Sequence, residues 1–177
     1  PNLDQESVNA LMEVLSEARH LNKIIDQLLT LAKAEAQTLP LNLVPHSTSQ
    51  FIEDFAEDAS ALVEAAGKRF VQRQNDEMAV AVDSSWMRQV LFNLLSNAIK
   101  FSPPGGKIEL SSRQDEKSWR LAMSDEGPGI PADQREAVFD RFKQLQRSSD
   151  DSQGSGLGLA VSKSIVELHN GNIRCGE

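Results

Sequence analysis

Three polar side chains recur along one predicted helix in the middle of the chain. Asn93 and Asn97 are four residues apart and Lys100 follows three residues later, so all three project from nearly the same side of that helix. The amide oxygen of Asn97 is a suitable ligand for Mg²⁺, which takes its other ligands from water and substrate phosphates. The ammonium of Lys100 suits the phosphates themselves. The trio therefore fits the polar wall of a nucleotide pocket, although on these residues alone an ordinary solvated helix face is the favoured interpretation.

A short loop with two glycines around a proline follows a predicted strand. Gly127 and Gly129 allow a backbone shape that larger residues would block, and Asp125 stands before them at the end of the strand. A carboxylate fixed there can accept a charge-assisted hydrogen bond from the exocyclic amino group of adenine, whereas guanine presents a carbonyl at that position. A tight turn with a solvated acid explains the same residues, and the loop alone does not separate the two interpretations.

A second glycine-rich segment, residues 154–158, opens the last predicted helix. Its small residues let backbone amides approach phosphate oxygens, and a helix N-terminus adds partial positive charge. The segment follows a polar loop, unlike a Rossmann fingerprint, and it lacks the Gly-Lys-Ser/Thr ending of a Walker loop. A flexible linker or close helix packing requires the same glycines, so this segment alone is a weak indication.

Two aromatic residues precede a polar stretch that leads to this glycine segment. Phe139 and Phe142 lie three residues apart on a predicted short helix, and we expect both to be core side chains. The stretch from Lys143 to Ser155 offers little to bury, so it is predicted to be a mobile lid. Three basic residues in or beside it are candidate phosphate contacts: Arg141, Lys143 and Arg147.

A long amphipathic helix over residues 8–36 is predicted to precede the elements that carry these groups. Its apolar residues alternate four-residue and three-residue steps in a broad stripe, which nothing nearby in the sequence can cover. We therefore expect this helix to pair with other helices in a dimeric bundle, with packing on its own domain as the alternative. Pro40 and Pro45 bracket a short extended piece at residues 41–44, and they place a domain boundary near Leu39, between residues 1–39 and 40–177.

Helical and strand patterns alternate beyond this boundary. Helices are predicted from Ser47 or Thr48 to Gly67, from Asp83 or Ser84 to Pro103, at 133–138 and at 157–169. Strands are predicted at 69–73, 78–82, 107–113, 118–124 and from Asn172 onward. This order predicts an α+β fold, a two-layer sandwich with helices packed on one face of a mixed sheet.

The bulk properties exclude several classes of protein. A net charge of -8 over 177 residues argues against a nucleic-acid surface, and it requires any phosphate site to be built locally. No run approaches the roughly 20 apolar residues of a membrane span, and the first residues lack the pattern of a signal peptide. The lone Cys175 cannot form an internal disulfide, which fits a reducing compartment.

The motifs, taken in order, resemble those of the catalytic domain of bacterial sensor histidine kinases, in the superfamily that includes gyrase-type and mismatch-repair ATPases. Residues 89–102 are similar to the N box of that family, residues 125–130 to its first glycine box, residues 139–142 to its F box and residues 154–159 to its second glycine box. Each motif is weak by itself, but four in the correct order and spacing are specific. Residues 21–36 likewise resemble the second helix of the kinase dimerisation domain.

This resemblance implies a Bergerat-type ATP-binding fold, with ATP and Mg²⁺ as cofactors. It implies that Asn97 ligates Mg²⁺, that Asn93 and Lys100 contact phosphate or metal, that Phe101 packs on adenine and that Asp125 reads the adenine amino group. The expected nucleotide contacts also include the loop and lid residues Gly127, Gly129, Ile130, Phe142, Lys143, Gly154, Ser155, Gly156, Leu157 and Gly158.

The chain departs from the family pattern at two places. The phosphoacceptor, a His followed by an acidic residue, does not occur, and we interpret His20, His46 and His169 as structural. The family continues past the strand predicted at Asn172, so the chain is expected to be truncated at both ends or to be a reduced relative. We accordingly predict that it binds Mg²⁺-ATP without phosphorylating itself.

The predicted function is the ATP-binding core of a histidine kinase that phosphorylates a histidine on the dimerisation domain of its parent. The partners implied by the resemblance are the phosphoacceptor helix, a response regulator and a second copy through the N-terminal helix, in the cytoplasmic part of a membrane-anchored sensor. The alternatives are a superfamily ATPase, an anti-sigma-type serine kinase, or a degenerate module that dimerises without binding nucleotide.

Overall fold

The computed structural model describes residues 4–75, 77–115, 118–144 and 154–176. Its helices are α1 (Gln5–Glu35), α2 (Thr48–Ala65), α3 (Ser84–Phe101) and α4 (Gly158–Leu168). Its strands are β1 (Val44–Ser47), β2 (Arg69–Asn75), β3 (Ala79–Val82), β4 (Lys107–Asp115) and β5 (Ser118–Asp125), and two short 3₁₀ helices cover Ala132–Gln134 and Ala137–Phe139.

Helix α1 is as long as the apolar pattern predicts. Asp4 caps its N-terminus, because the Asp4 carboxylate accepts a hydrogen bond of 2.8 Å from the backbone N–H of Ser7. Toward its C-terminal end, Gln27, Leu31 and Ala34 are buried against the rest of the chain. The large apolar side chains outside this buried stripe are exposed, both toward the N-terminus and beside Gln27: Val8, Leu11, Met12, Val14, Leu15, Leu21, Ile25, Leu28 and Leu29. The single chain thus buries only one stripe of this helix, near its C-terminal end.

The main sheet is mixed and carries helices on one face, which confirms the predicted fold class. Strand β2 runs parallel to β4, and β4 runs antiparallel to β5. The alternation along β4 explains the layering, because Ile108, Leu110 and Ser112 are buried on the inner face while Glu109 and Ser111 lie between them on the other. Strands β1 and β3 form a separate antiparallel pair.

The main core lies between this sheet and helices α2 and α3. Phe55 is completely buried at its centre, and the Phe51 ring meets the Trp119 ring edge to face at a centroid distance of 5.6 Å. The indole N–H of Trp119 donates to the hydroxyl of Ser112 at 2.8 Å, which satisfies a polar pair inside the layer. The fully or nearly buried members of this core are Phe51, Ile52, Phe55, Ala59, Val63, Leu91, Leu95, Ala98, Ile108 and Leu110.

A second apolar cluster joins α4 to both α1 and α3. Its buried members are Leu31, Val90, Leu157, Ala160, Val161 and Ile165. At the end of α4, Nε2 of His169 accepts a hydrogen bond of 3.1 Å from the backbone N–H of Asp83, and its Nδ1 lies 2.8 Å from the carbonyl oxygen of Ile165. These contacts give His169 a structural position, because its ring ties the end of α4 to the start of α3.

The fold corrects three predictions about local structure. No strand begins at Asn172, since residues 172–176 are without regular structure and have no strand beside them in the described chain. The helix predicted at 133–138 is replaced by the two 3₁₀ helices, because a segment this short does not repay the cost of nucleating an α-helix. The extended piece predicted at 41–44 is displaced to β1, where pairing with β3 sets the register.

Candidate nucleotide-binding site

Helix α3 carries the polar trio toward the start of α4. The amide nitrogen of Asn93 donates to the carbonyl oxygen of Gly158 and to the hydroxyl of Ser162, each at 3.2 Å. Asn93 thus binds α4 directly, a structural role that the sequence did not predict. Asn97 is half-buried one turn further along, and Lys100 is exposed near the end of the helix.

The start of α3 is fixed by Asp83, which sets the position of the whole trio. The carboxylate of Asp83 accepts hydrogen bonds from the backbone N–H groups of Ser85 at 3.1 Å, Trp86 at 3.2 Å and Asn42 at 2.9 Å. Burial raises the pKa of Asp83, but these hydrogen bonds and the nearby His169 lower it, and the net pKa is below the usual value. The charged carboxylate is therefore the form that caps α3.

The end of α3 meets both glycine segments. The Lys100 ammonium lies 5.3 Å from the centroid of the Phe101 ring and 3.9 Å from the position of a Cβ built on Gly154. A Cβ on Gly127 would stand 2.9 Å from the carbonyl oxygen of Phe101, so a glycine is required where this loop touches the helix. The Phe101 side chain remains 42% exposed beside these groups.

The loop after β5 holds Asp125 at the end of its strand. One carboxylate oxygen of Asp125 accepts a hydrogen bond of 2.7 Å from the backbone N–H of Gly127, while the side chain as a whole is exposed. Ile130 is half-buried, and its carbonyl oxygen accepts a hydrogen bond of 3.2 Å from Nε of Arg135. Gly129 has a φ of 69°, a conformation that favours glycine. The hydrogen bond from Gly127 therefore fixes one oxygen of the Asp125 carboxylate at the end of β5.

The second glycine segment packs closely on the end of the F box. Gly156 has a φ of 67°, and a Cβ on it would lie 2.7 Å from the carbonyl carbon of Phe142. The side-chain amide of Gln144 donates to the carbonyl oxygen of Gly154 at 2.6 Å. The backbone amides of this segment then lead into the N-terminus of α4, where their dipoles favour an anion.

The structure corrects the prediction that Phe142 is a core side chain. Phe139 is buried as predicted, but Phe142 is 62% exposed with a φ of 59°, because the 3₁₀ helix ends at Phe139 and the chain turns before the second ring can enter the core. Arg141 forms an ion pair with Glu35 at the end of α1, while Lys143 is exposed. Arg147 and most of the predicted lid lie outside the described residues.

Contacts between the four motifs bring most predicted site residues to one region. The N box meets the first glycine box through Phe101 and Gly127, and it meets the second through the hydrogen bond from Asn93 to Gly158. The F box meets the second glycine box through Phe142 and Gly156. Within the described ranges, no group of three or more His, Cys, Asp or Glu side chains converges as a metal site.

Sequence reasoning missed Gln27, which reaches the same region from α1. Gln27 is 5% exposed, and its side-chain oxygen accepts a hydrogen bond of 2.8 Å from the hydroxyl of Ser155. One feature of the sequence could have indicated this position. Gln27 follows Ile24 by three residues and precedes Leu31 by four, and both of these apolar residues belong to the cluster that joins α1 to α4. That spacing places Gln27 on the buried face of the helix.

Comparison with known proteins agrees with this arrangement. The family described as Histidine kinase-, DNA gyrase B-, and HSP90-like ATPase matches residues 82–177. Hybrid signal transduction histidine kinase D of Dictyostelium discoideum is 33% identical over 179 residues, which cover 97% of this chain and 12% of that protein. The chain spans from 12% to 35% of the length of the curated relatives considered.

Solved structures share the fold. The mycobacterial sensor histidine kinase MprB is 32% identical with a TM-score of 0.64, over 75% of this chain and 84% of that one. Full-length ShkA, crystallised with AMPPNP, is 24% identical with a TM-score of 0.84, over 100% of this chain and 37% of that one. None of the helices in the described part of this chain combines the length and apolar character that a bilayer crossing needs. The chain belongs to the family of histidine kinase-, DNA gyrase B- and HSP90-like ATPases, as a catalytic domain of the sensor histidine kinase type.

Proposed function

We propose that this chain is the Mg²⁺-ATP-binding catalytic core of a sensor histidine kinase, which transfers the γ-phosphoryl group of ATP to a histidine on the dimerisation domain of its parent. The observation that carries the proposal is the meeting of the four motifs, in which Lys100 and Phe101 lie between the two glycine segments. One end of this region suits a base and the other suits phosphates, as a nucleotide pocket requires.

The adenine end is assigned to the loop after β5 and the end of α3. Asp125 accepts the exocyclic amino group through the carboxylate oxygen that does not bind Gly127, and Phe101 supplies an exposed ring for the base to pack on. Gly127, Gly129 and Ile130 shape the backbone around it. A guanine base would turn a carbonyl toward the same carboxylate, so the site discriminates against guanine nucleotides.

The phosphate end is assigned to Lys100 and the start of α4. Because the chain carries a net charge of -8, phosphate binding depends on local groups, namely the Lys100 ammonium and the amides from Gly154 to Gly158. Phe142 and Lys143 are exposed beside this segment and can contact the nucleotide from the F-box side. Arg141 contributes only if it leaves Glu35, with which it is paired in the structure.

A Mg²⁺ ion fits the donor set next to these phosphates. Asn97 is half-buried on α3 between Asn93 and Lys100, and an amide oxygen with phosphates and water completes the oxygen shell that Mg²⁺ prefers. When bound, the ion would neutralise phosphate charge. Lys100 stabilises the remaining negative charge, and the loop amides align the γ-phosphoryl group with the attacking imidazole nitrogen, so that the N–P bond forms as ADP departs.

The partners follow from the same proposal. The acceptor histidine belongs to another helix of the parent, since His169 is bonded through both ring nitrogens, His46 lies on a strand and His20 lacks the acidic residue that follows the acceptor in this family. The exposed apolar face of α1 would pair two copies, and a response regulator would receive the phosphoryl group. The parent is a sensor with this core in the cytoplasm.

Calorimetric titration with a non-hydrolysable ATP analogue and Mg²⁺ tests the site. Asp125→Asn is expected to weaken binding by about 10- to 100-fold, because a hydrogen bond to a charged group contributes roughly 1.5–3 kcal/mol. Asp133→Asn, the same change at an exposed position on a 3₁₀ helix, should bind like the parent. No binding by the parent, or equal affinity for the ATP and GTP analogues, would contradict the assignment.

A second experiment separates a kinase core from a hydrolase. Incubation of the chain with γ-labelled ATP should leave no acid-labile label on it, whereas a parent fragment carrying the acceptor helix should become labelled. Sustained hydrolysis without any acceptor, or a labelled serine on a partner, would favour the ATPase or serine-kinase alternative.

A further inference from the structure

One polar side chain of α1 is buried against the loop that precedes α4. Gln27 is 5% exposed, whereas the family match begins only at residue 82. A buried amide costs free energy unless its polar atoms are paired. An apolar side chain at this buried position would carry no such requirement. The amide therefore calls for an explanation beyond filling the α1–α4 contact.

Gln27 is the last acceptor in a chain of hydrogen bonds that runs through the glycine segment. The backbone N–H of Leu157 donates to the hydroxyl of Ser155 at 3.2 Å, and that hydroxyl in turn donates to Oε1 of Gln27 at 2.8 Å. The amide nitrogen of Gln27 lies 3.9 Å from the position of a Cβ on Gly158. One side chain from α1 thus bonds to Ser155 and lies near the first residue of α4.

This arrangement fixes the part of the loop that has the greatest freedom. Ser155 lies between Gly154 and Gly156, and glycine loses more conformational freedom on ordering than any other residue. The backbone from Gly154 to Gly158 must be ordered before its amides can converge on a phosphate, and a loop that is ordered in advance binds more tightly. Asn93 holds the Gly158 end from α3, and Gln27 holds the Ser155 end from α1.

We propose that Gln27 is a positioning residue for nucleotide binding, acting through Ser155 to hold the glycine segment in its phosphate-binding shape. The inference rests on the proposed function, because it assigns phosphate binding to this segment. It places part of the nucleotide site on a helix outside the residues that match the ATPase family. The nucleotide affinity of the chain then depends on how α1 is seated against α4.

Gln27→Met tests this role with little change in volume or helix propensity. We expect the variant to bind the ATP analogue with Mg²⁺ about fivefold more weakly than the parent, since one hydrogen bond contributes roughly 0.5–1.5 kcal/mol. The matched control is Gln50→Met, which removes an exposed amide bonded to Asp54 on α2 and should leave the affinity unchanged. Thermal unfolding of each variant shows whether the chain remains folded.

Ser155→Ala is the second variant of the test, because the proposed effect of Gln27 on nucleotide affinity requires the Ser155 hydroxyl. Ser155→Ala alone is expected to weaken binding at least as much as Gln27→Met, and adding Gln27→Met to it should cause no further loss. If Gln27→Met does not fold, the Ser155→Ala arm decides: a variant that binds like the parent overturns the proposal.

Gln27→Glu tests whether the side chain at this position lies close to the bound phosphates. The glutamate keeps an acceptor for Ser155 but places a negative charge near the phosphates, so binding should weaken and recover partly at higher ionic strength. The proposal is overturned if the parent binds the ATP analogue and Gln27→Met binds it equally well. It is also overturned if Gln27→Met weakens binding as much in the Ser155→Ala background as it does in the parent. A parent that binds no nucleotide overturns the proposed function and this inference together.

Discussion

Replacing Gly156 by alanine is expected to damage the nucleotide site through two separable effects. Its φ of 67° is a left-handed conformation that costs a residue with a side chain roughly 1–2 kcal/mol. In addition, a Cβ at this position would lie 2.7 Å from the carbonyl carbon and 2.8 Å from the Cα of Phe142. Because these are backbone atoms, the overlap is relieved only if the loop or the Phe142 turn moves.

Gly67 isolates the first effect from the second. Its φ is 68°, and nothing lies within 4 Å of a Cβ built on it in the turn between α2 and β2. Gly67→Ala should therefore lower the free energy of unfolding by roughly 1–2 kcal/mol. Gly156→Ala adds an overpacking cost of about 1–3 kcal/mol, and each kcal/mol corresponds to about 2–4 °C in Tm for a chain of this size.

Two measurements on the same proteins test this reasoning. Urea unfolding should show a larger loss of stability for Gly156→Ala than for Gly67→Ala, unless the loop yields locally. In that case the cost appears as a loss of affinity for the ATP analogue with Mg²⁺, which Gly67→Ala should leave unchanged. A Gly156→Ala variant that matches Gly67→Ala in stability and the parent in affinity would refute the close approach of Phe142 to the glycine segment.

Further predictions concern the scaffold. The pKa of Asp83 is lower in the folded chain than in the unfolded chain. The contribution of Asp83 to the free energy of unfolding should therefore be complete above the ordinary aspartate range, and it should be lost as the pH falls through the lowered folded pKa. Asp83→Asn keeps a capping oxygen but should abolish this part of the pH dependence of urea unfolding. Phe55→Ala should cost about 3–5 kcal/mol in the same assay, because Phe55 is completely buried. Trp119→Phe removes the hydrogen bond from the indole to the hydroxyl of Ser112 and should lower the free energy of unfolding by about 0.5–1.5 kcal/mol.

Local patterns predicted most of the fold because the physics that sets them is local. The helical spacing of apolar residues identifies α2 and α3, and their N-terminal ends are set almost to the residue by the caps Ser47 and Asp83, respectively. Alternation fixes the inner face of β4 in the same way. The four motifs were also readable, since glycine boxes and an asparagine pair have fixed spacings. Their mutual contacts then followed from the fold.

What the sequence did not reveal depends on partners distant along the chain. A strand at Asn172 requires a neighbouring strand, and the described residues provide none. Phe142 and Phe139 have the spacing of two core residues, but a turn separates them, and the φ of 59° at Phe142 has no signature in residue type. The role of Gln27 depends on Ser155, which is 128 residues away.

Helix α1 extends far beyond its contact with α4, in which Leu31 is 3% exposed. We take Leu31 as the pivot for movements of the helix. At about 1.5 Å per residue, Leu11 lies about 30 Å along the helix from Leu31, so a tilt of about 10° moves it by about 5 Å. Gln27 lies only about 6 Å from Leu31, and the same tilt moves it by about 1 Å. Turning the helix about its own axis is different, because at a radius of about 5–6 Å a 30° turn carries the Gln27 amide about 3 Å. The bond between Gln27 and Ser155 is therefore more sensitive to a turn of α1 about its own axis than to a tilt of its exposed end.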